Sequence, residues 1–234
     1  MRKTPHVLQT HALDFWLARG AIALTALLNA VLINKTTFVP WWLASAFEIA
    51  MLVPLSIATA RAQVRVRNAT SEHHWKLIDH HRRTIRKMAL VLTAIVTAIN
   101  FAALYAVMHG LLLGAKGATG ESLLLDALNI WFTNVVIFAL WFWNLDRGGP
   151  AMRDLAKTEN MDFLFPQMAG ASGSDPWTPG FVDYFYLSFT NATAFSPTDT
   201  MPLSPRSKLL MLVESMVSLL TVGLVAARAV NILA

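Results

Sequence analysis

Several side chains in this sequence sit among neighbours that do not suit them, and each points to a definite chemistry. Glu48 lies near the middle of one long apolar block, and Glu214 and Arg228 lie within another. A carboxylate at the centre of a bilayer is costly unless it is paired, protonated or in water, so each marks a functional site or a structural ion pair. Arg19 and Arg228 are the cations open to Glu48. Glu214 and Arg228 are fourteen residues apart, about 21 Å along a helix axis, and cannot pair with each other within one chain. His73, His74, His80 and His81 flank WKLID, and their seven-residue offset stacks each His of one pair above its counterpart. Such pairs suit a transition metal or a pH sensor titrating at about 6.5. Metal ligands more often use an i, i+4 offset, so a solvated basic helix accounts for the same residues. No nucleophile–base constellation and no phosphate-binding loop is present, so an enzyme is not expected, and neither is a cofactor.

The elements that must carry these residues follow from composition. Of 234 residues, 55% are apolar and only 14% charged, with a mean hydropathy of +0.48. That is too little polar surface to coat a water-soluble globule, which excludes a soluble enzyme. The net charge of +5 and pI of about 9.8 come from basic residues between apolar blocks, a membrane pattern and not a nucleic-acid one. The absence of Cys rules out disulfides, thiolate metal sites and iron–sulfur clusters.

A hydrocarbon core asks for about 20 apolar residues per helical crossing. Blocks at Phe15 to Asn34, Phe38 to Ala60, Met88 to Gly114 and Ala127 to Leu145 meet that length, and Leu209 to Ala234 meets it despite Glu214 and Arg228. The expectation is an all-α polytopic protein with five transmembrane helices plus one re-entrant pore-type helix. It forms a single membrane domain over 1–234, with an N-terminal hairpin at 15–60, a basic loop at 61–87, a second hairpin at 88–145, a loop at 146–180 and a terminal unit at 181–234. Trp41 and Trp42, and Trp131, Trp141 and Trp143, suit interfacial belts. Asn100, Asn129 and Asn134, with Gly110 and Gly114, read as helix-packing devices. The N-terminus carries Arg2 and Lys3 but no signal-peptide pattern and reads as a retained cytoplasmic end.

The block Phe181 to Phe195, FVDYFYLSFTNATAF, is too short to span, and the Pro-bearing run SPTDTMPLSPRSK follows it. A helix that enters and turns back normally lines a cavity, because unwound backbone at membrane depth needs protein or water to satisfy it. An amphipathic helix on the surface is the alternative. Here the sequence resembles the pore module of tetrameric potassium channels, whose pattern is D-x-x-Y-x-S-F-x-x-x-T-T-V-G-Y-G-D-x-x-P. Asp183, Tyr186, Ser188, Phe189, Thr193, Asp199 and Pro202 match without gaps, and Lys208 and Glu214 match inner-helix positions in the same register. The resemblance covers about Asp183 to Arg228 and implies that Ala127 to Leu145 is the outer helix, that Glu214 contacts the pore helix, and that the assembly is a homotetramer. The overall layout is also similar to a bacterial integral-membrane family of uncharacterised function. Where the channels have T-V-G-Y-G, this chain has Ala194, Phe195, Ser196, Pro197 and Thr198. Neither filter glycine is present and Pro197 removes an amide, so a standard potassium filter cannot form. A ring of Ser196, Thr198, Asp199 and Thr200 remains, of the kind that favours cations.

The segment Arg61 to Lys87 holds eight Arg and Lys against two acids and is expected in the cytoplasm. Only two crossings separate it from Asp146, which puts the mouth of the pore-type loop on the cytoplasmic side, whereas the channels it resembles open that loop outward. Between Asp146 and Gly180, three basic residues face five acids, which leans outward as well. The expectation is a channel-like, multi-pass protein of the bacterial inner membrane that passes monovalent cations with weak or no selectivity. Its partners are the lipid bilayer and copies of itself, with no nucleic acid. Two other classes fit the residues: a non-conducting scaffold or sensor whose basic His-rich loop binds a partner, anionic lipid or metal, and a small transporter using Glu48.

Overall fold

In an apolar medium a segment keeps its backbone amides paired only as a helix or a closed barrel. The apolar blocks are helices in the computed structural model, which describes residues 5–32, 72–113, 120–150, 161–169, 177–196 and 199–233. The long helices are α1 (Pro5–Leu32), α2 (Glu72–Leu113), α3 (Gly120–Leu145) and α6 (Pro205–Leu233). Between α3 and α6 come a 3-10 turn (Asp146–Gly148), strand β1 (Phe163–Leu164), a single-turn helix α4 (Pro166–Ala169), the short helix α5 (Phe181–Ala194) and strand β2 (Met201–Pro202). The protein is mostly helical. Among the described residues three stretches are long and apolar enough to cross a membrane: Arg83–Gly110, Leu124–Gly148 and Pro205–Ala227. The first block of the sequence coincides with much of α1, and the second, Phe38 to Ala60, lies outside the described residues.

Helix α3 is the hub. Of its spanning window 67% is buried inside the protein, against 33% for α2 and 28% for α6, so α3 is surrounded while its neighbours keep outward apolar faces. Each neighbour runs antiparallel to it. Phe15 and Asn29 of α1 meet Trp143 and Asn129. Arg86 of α2 donates to the Asn144 carbonyl at 3.3 Å, and Leu104 packs with Ile130 lower down. Phe181 and Phe189 of α5 meet Trp143 and Trp131, and Asn134 donates to Ser218 of α6 at 3.1 Å. The amino ends of α5 and α6, together with inner turns of α1 and α2, therefore gather around the carboxyl end of α3. Positive helix-dipole ends favour acids and negative ends favour cations. Asp14, Asp146, Asp162 and Asp183 are all found at this end, and Arg86 caps the carboxyl end of α3.

A tight left-handed turn follows α3, with positive φ at Arg147 (51°), Gly148 (82°) and Gly149 (88°). A Cβ on Gly149 would stand 2.8 Å from the Asn144 carbonyl oxygen, so the close turn needs glycine there. The turn aims the fully buried Asp146 carboxylate inward, where it accepts the Tyr184 hydroxyl and the Asp162 amide (2.9 Å). Arg147 Nε approaches it at 3.5 Å. Asp162 then holds the returning chain: its carboxylate accepts the Ser204 hydroxyl and its carbonyl accepts the Leu203 amide at 2.8 Å. Beside it Phe163 pairs with Pro202 and Leu164 with Met201, antiparallel. Ser204 caps α6 by accepting the Ser207 amide at 3.2 Å, with Pro205 at the first helical position.

Two expectations change in detail. Helix α2 begins at Glu72, sixteen residues before the apolar block at Met88, because hydropathy marks where the membrane begins and not where the helix does. Trp143 is buried between Phe15 and Phe181 and Trp141 donates to Thr97 at 3.0 Å. Both are packing residues of the bundle and not members of an exposed belt.

Gly149→Ala is expected to destabilise the protein by about 1–3 kcal/mol, since it adds both backbone strain and a clash. Gly223→Ala, in α6 with nothing within 4 Å of the added carbon, is expected to be neutral or slightly stabilising. Thermal melts of the two variants in one detergent test the contrast, and equal melting temperatures would refute it.

Candidate functional site

The short helix α5 is built from both ends. At its amino end Gly180 is the N-cap, and the Asp183 carboxylate accepts the Gly180 amide at 2.7 Å. The Asp14 carboxylate of α1 reaches across to accept the Phe181 amide at 3.1 Å. A negative group on the first free amides of a helix is favourable for both hydrogen bonding and the dipole. Asp14 lies so close that a Cβ on Gly180 would stand 2.7 Å from its Oδ1; glycine is what admits the carboxylate.

Along α5 the buried positions are Phe181, Tyr184, Leu187, Ser188, Asn191 and Ala192, the i, i+3, i+4, i+7 spacing of one helical face. The opposite face exposes Val182, Tyr186, Phe189 and Thr193. The buried face turns polar half-way down. Ser188 donates to the Val135 carbonyl of α3 at 2.7 Å and also contacts Glu214 Oε1. Asn191 donates to Glu214 Oε2 at 2.7 Å and to the Met211 carbonyl at 3.0 Å. Asn134 of α3 donates to the Glu214 carbonyl at 3.3 Å and to Ser218. Three helices thus converge on Glu214, which is fully buried. Glu214 sits about 14 Å along the axis from Pro205, close to the middle of the Pro205–Ala227 stretch.

Helix α5 is 14 residues long, about 21 Å, and so ends near mid-depth of the bundle. Its C-cap is Phe195 with φ 57°, a left-handed conformation usually left to glycine. Thr193, Ala194, Phe195 and Ser196 are exposed there. The Thr193 hydroxyl donates back to the Phe189 carbonyl at 2.8 Å, which leaves its oxygen as an acceptor on the outer side. Asp199 is exposed and accepts from the Thr200 hydroxyl at 3.3 Å, while Thr200 itself is buried. By Met201 the chain is back beside β1, at the end where α5 began. The negative end of a helix dipole, its last carbonyls, hydroxyl oxygens and an acid are therefore collected in one exposed loop, and each of these attracts cations.

Of the residues singled out in the sequence, the fold brings Glu214 against Ser188 and Asn191 and leaves Asp199 apart from it. Glu48, Pro197 and Thr198 lie outside the described residues. His73, His74, His80 and His81 fall in the first turns of α2 and Arg228 near the end of α6, their side chains outside the described residues. Arg19, a candidate partner of Glu48, lies over the Trp16 ring at 5.3 Å. Asp14 and Asp146, which fix the start of α5, escaped the sequence reading. Their signal was an acid at each end of an apolar run, in one case followed by Arg-Gly-Gly.

Fold and site together define an α-helical protein whose long helices, three of them long and apolar enough to cross a membrane among the described residues, surround a short helix and an exposed loop. Comparison of the chain with protein-family models, curated proteins and solved structures finds no match.

Asp14→Ala and Gly180→Ala are each expected to cost about 1–2 kcal/mol, the size of a lost helix cap. Because both act on one contact, their effects should fall short of adding in the double variant. Strict additivity in thermal or denaturant unfolding would contradict the shared cap.

Proposed function

We propose that this chain is the subunit of a channel-like protein of the bacterial inner membrane, with α5 as a re-entrant helix and the loop Thr193–Thr200 as the constriction of a weakly selective or non-selective cation pore. In this reading the chain crosses the membrane five times and assembles as a homo-oligomer, a tetramer by its resemblance to potassium channels. The observation that carries it is the exposed, non-helical backbone after Ala194, level with the middle of the spanning stretches of α3 and α6. Lipid cannot satisfy such backbone, so water or a neighbouring subunit must cover it. Oxygen-rich side chains and the negative end of α5 make a water-filled lining favourable to cations. The packing of Arg86 on Asn144 supports a single side for the basic start of α2 and the mouth of the loop, and the surplus of Arg and Lys there supports the cytoplasm. The module is then inverted relative to the channels it resembles.

A second reading is favoured by one feature. Residues Glu72–Arg82 carry α2 about 16 Å past its apolar stretch, as a basic scaffold or sensor for anionic lipid would require. Purified protein in liposomes separates the two. The pore predicts passage of both K⁺ and Na⁺ down an imposed gradient, and a several-fold loss of cation-over-anion preference in Asp199→Asn. No flux above that of empty liposomes would remove the channel reading and leave the scaffold.

A further inference from the structure

The hydrogen count around Glu214 carries an inference that does not depend on whether the loop conducts. Ser188 Oγ lies within hydrogen-bond distance of two acceptors, the Val135 carbonyl at 2.7 Å and Glu214 Oε1. A hydroxyl has one hydrogen, so an ionised Glu214 would leave one of these contacts as two oxygens facing each other. Asn191 cannot supply the missing hydrogen. Its two amide hydrogens are used on Glu214 Oε2 at 2.7 Å and on the Met211 carbonyl at 3.0 Å. Nor does a cation neutralise the group: no Lys, Arg or His nitrogen among the described residues lies within ion-pair distance of it. The side chains that meet it from α3 and α5, and Ser218 one turn further along α6, are uncharged. A hydrogen on Glu214 Oε1 completes the set. It is donated to Ser188 Oγ, the Ser188 hydrogen goes to Val135, and the Asn191 hydrogens keep their two acceptors, so each contact holds one hydrogen.

We propose that Glu214 binds a proton in the folded protein and that the resulting neutral carboxyl is the latch fastening the short helix α5 to α3 and α6 at mid-depth. Buried polar clusters of this kind are stabilising only when every member is satisfied. Here the contacts among Glu214, Ser188 and Asn191 are completed by one proton and not by a counter-ion. The carboxyl is a positioning group for the loop that follows α5, since Asn191, which it holds, lies four residues before the C-cap.

The test is a spectroscopic one on the full chain in lipid at neutral pH, with the side-chain carboxyl carbon of glutamate labelled. The chain has five glutamates, Glu48, Glu72, Glu121, Glu159 and Glu214. Solid-state magnetic resonance is expected to show a protonated glutamate signal that disappears in Glu214→Gln and persists in Glu48→Gln. Ser188→Ala, which removes the acceptor of that proton, should shift the same signal, and it provides the assignment should Glu214→Gln fail to fold. A wild-type spectrum with only ionised glutamates overturns the proposal, as does a protonated signal that Glu48→Gln removes or that Ser188→Ala leaves in place.

Discussion

A helix that stops half-way along a bundle has nothing in its own length to fix the depth at which it ends. That constraint organises this structure. The junction of Ser188, Asn191, Asn134 and Glu214 is its local solution, because it anchors the buried side of α5 to two long helices at the level where α5 ends. The residues of the junction come from three helices, and Ser188 and Asn191 are one turn apart on α5. Apolar packing alone would let a short helix slide or rotate. Directional hydrogen bonds in a low-dielectric interior fix its depth and its rotation together.

The other end of α5 is held by charge. The amino ends of α5 and α6 meet the carboxyl end of α3, and four acids fasten the chain there. Asp14 caps α5 from α1, Asp146 takes Tyr184 from α5, and Asp162 ties the returning strand to the start of α6. Gly149 and Gly180 are the permissive residues of this arrangement, one for a positive φ beside a carbonyl and the other for the close approach of Asp14. With both ends fixed, Thr193 to Ser196 and Asp199 are exposed beyond the buried face of α5.

Much of this was legible in the residues. The limits of the short block, Phe181 to Phe195, match α5 within one residue, since an apolar run between Gly180 and a Pro-bearing segment leaves little freedom. Asn129 and Asn134 read as packing devices and act as such, to Asn29 and to α6. What could not be read is what depends on tertiary proximity. Hydropathy hid the first sixteen residues of α2, which are polar yet helical. The two-residue strands have no periodicity long enough to detect. Asp146 looked like the first residue of a loop because nothing local indicates that Tyr184 will come to it. The left-handed turn at Phe195 goes against the preference for glycine, so the residue type gives no sign of it.

Whether the loop after α5 meets water is the point on which the functional account turns. The chain has no Cys, so a single introduced thiol reports one position. In membrane vesicles, a membrane-impermeant thiol reagent should modify Ser196→Cys, and from the same face that exposes Thr70→Cys in the basic segment. Failure of Ser196→Cys to react from either face, with Thr70→Cys reacting normally, would contradict a water-filled loop at mid-depth.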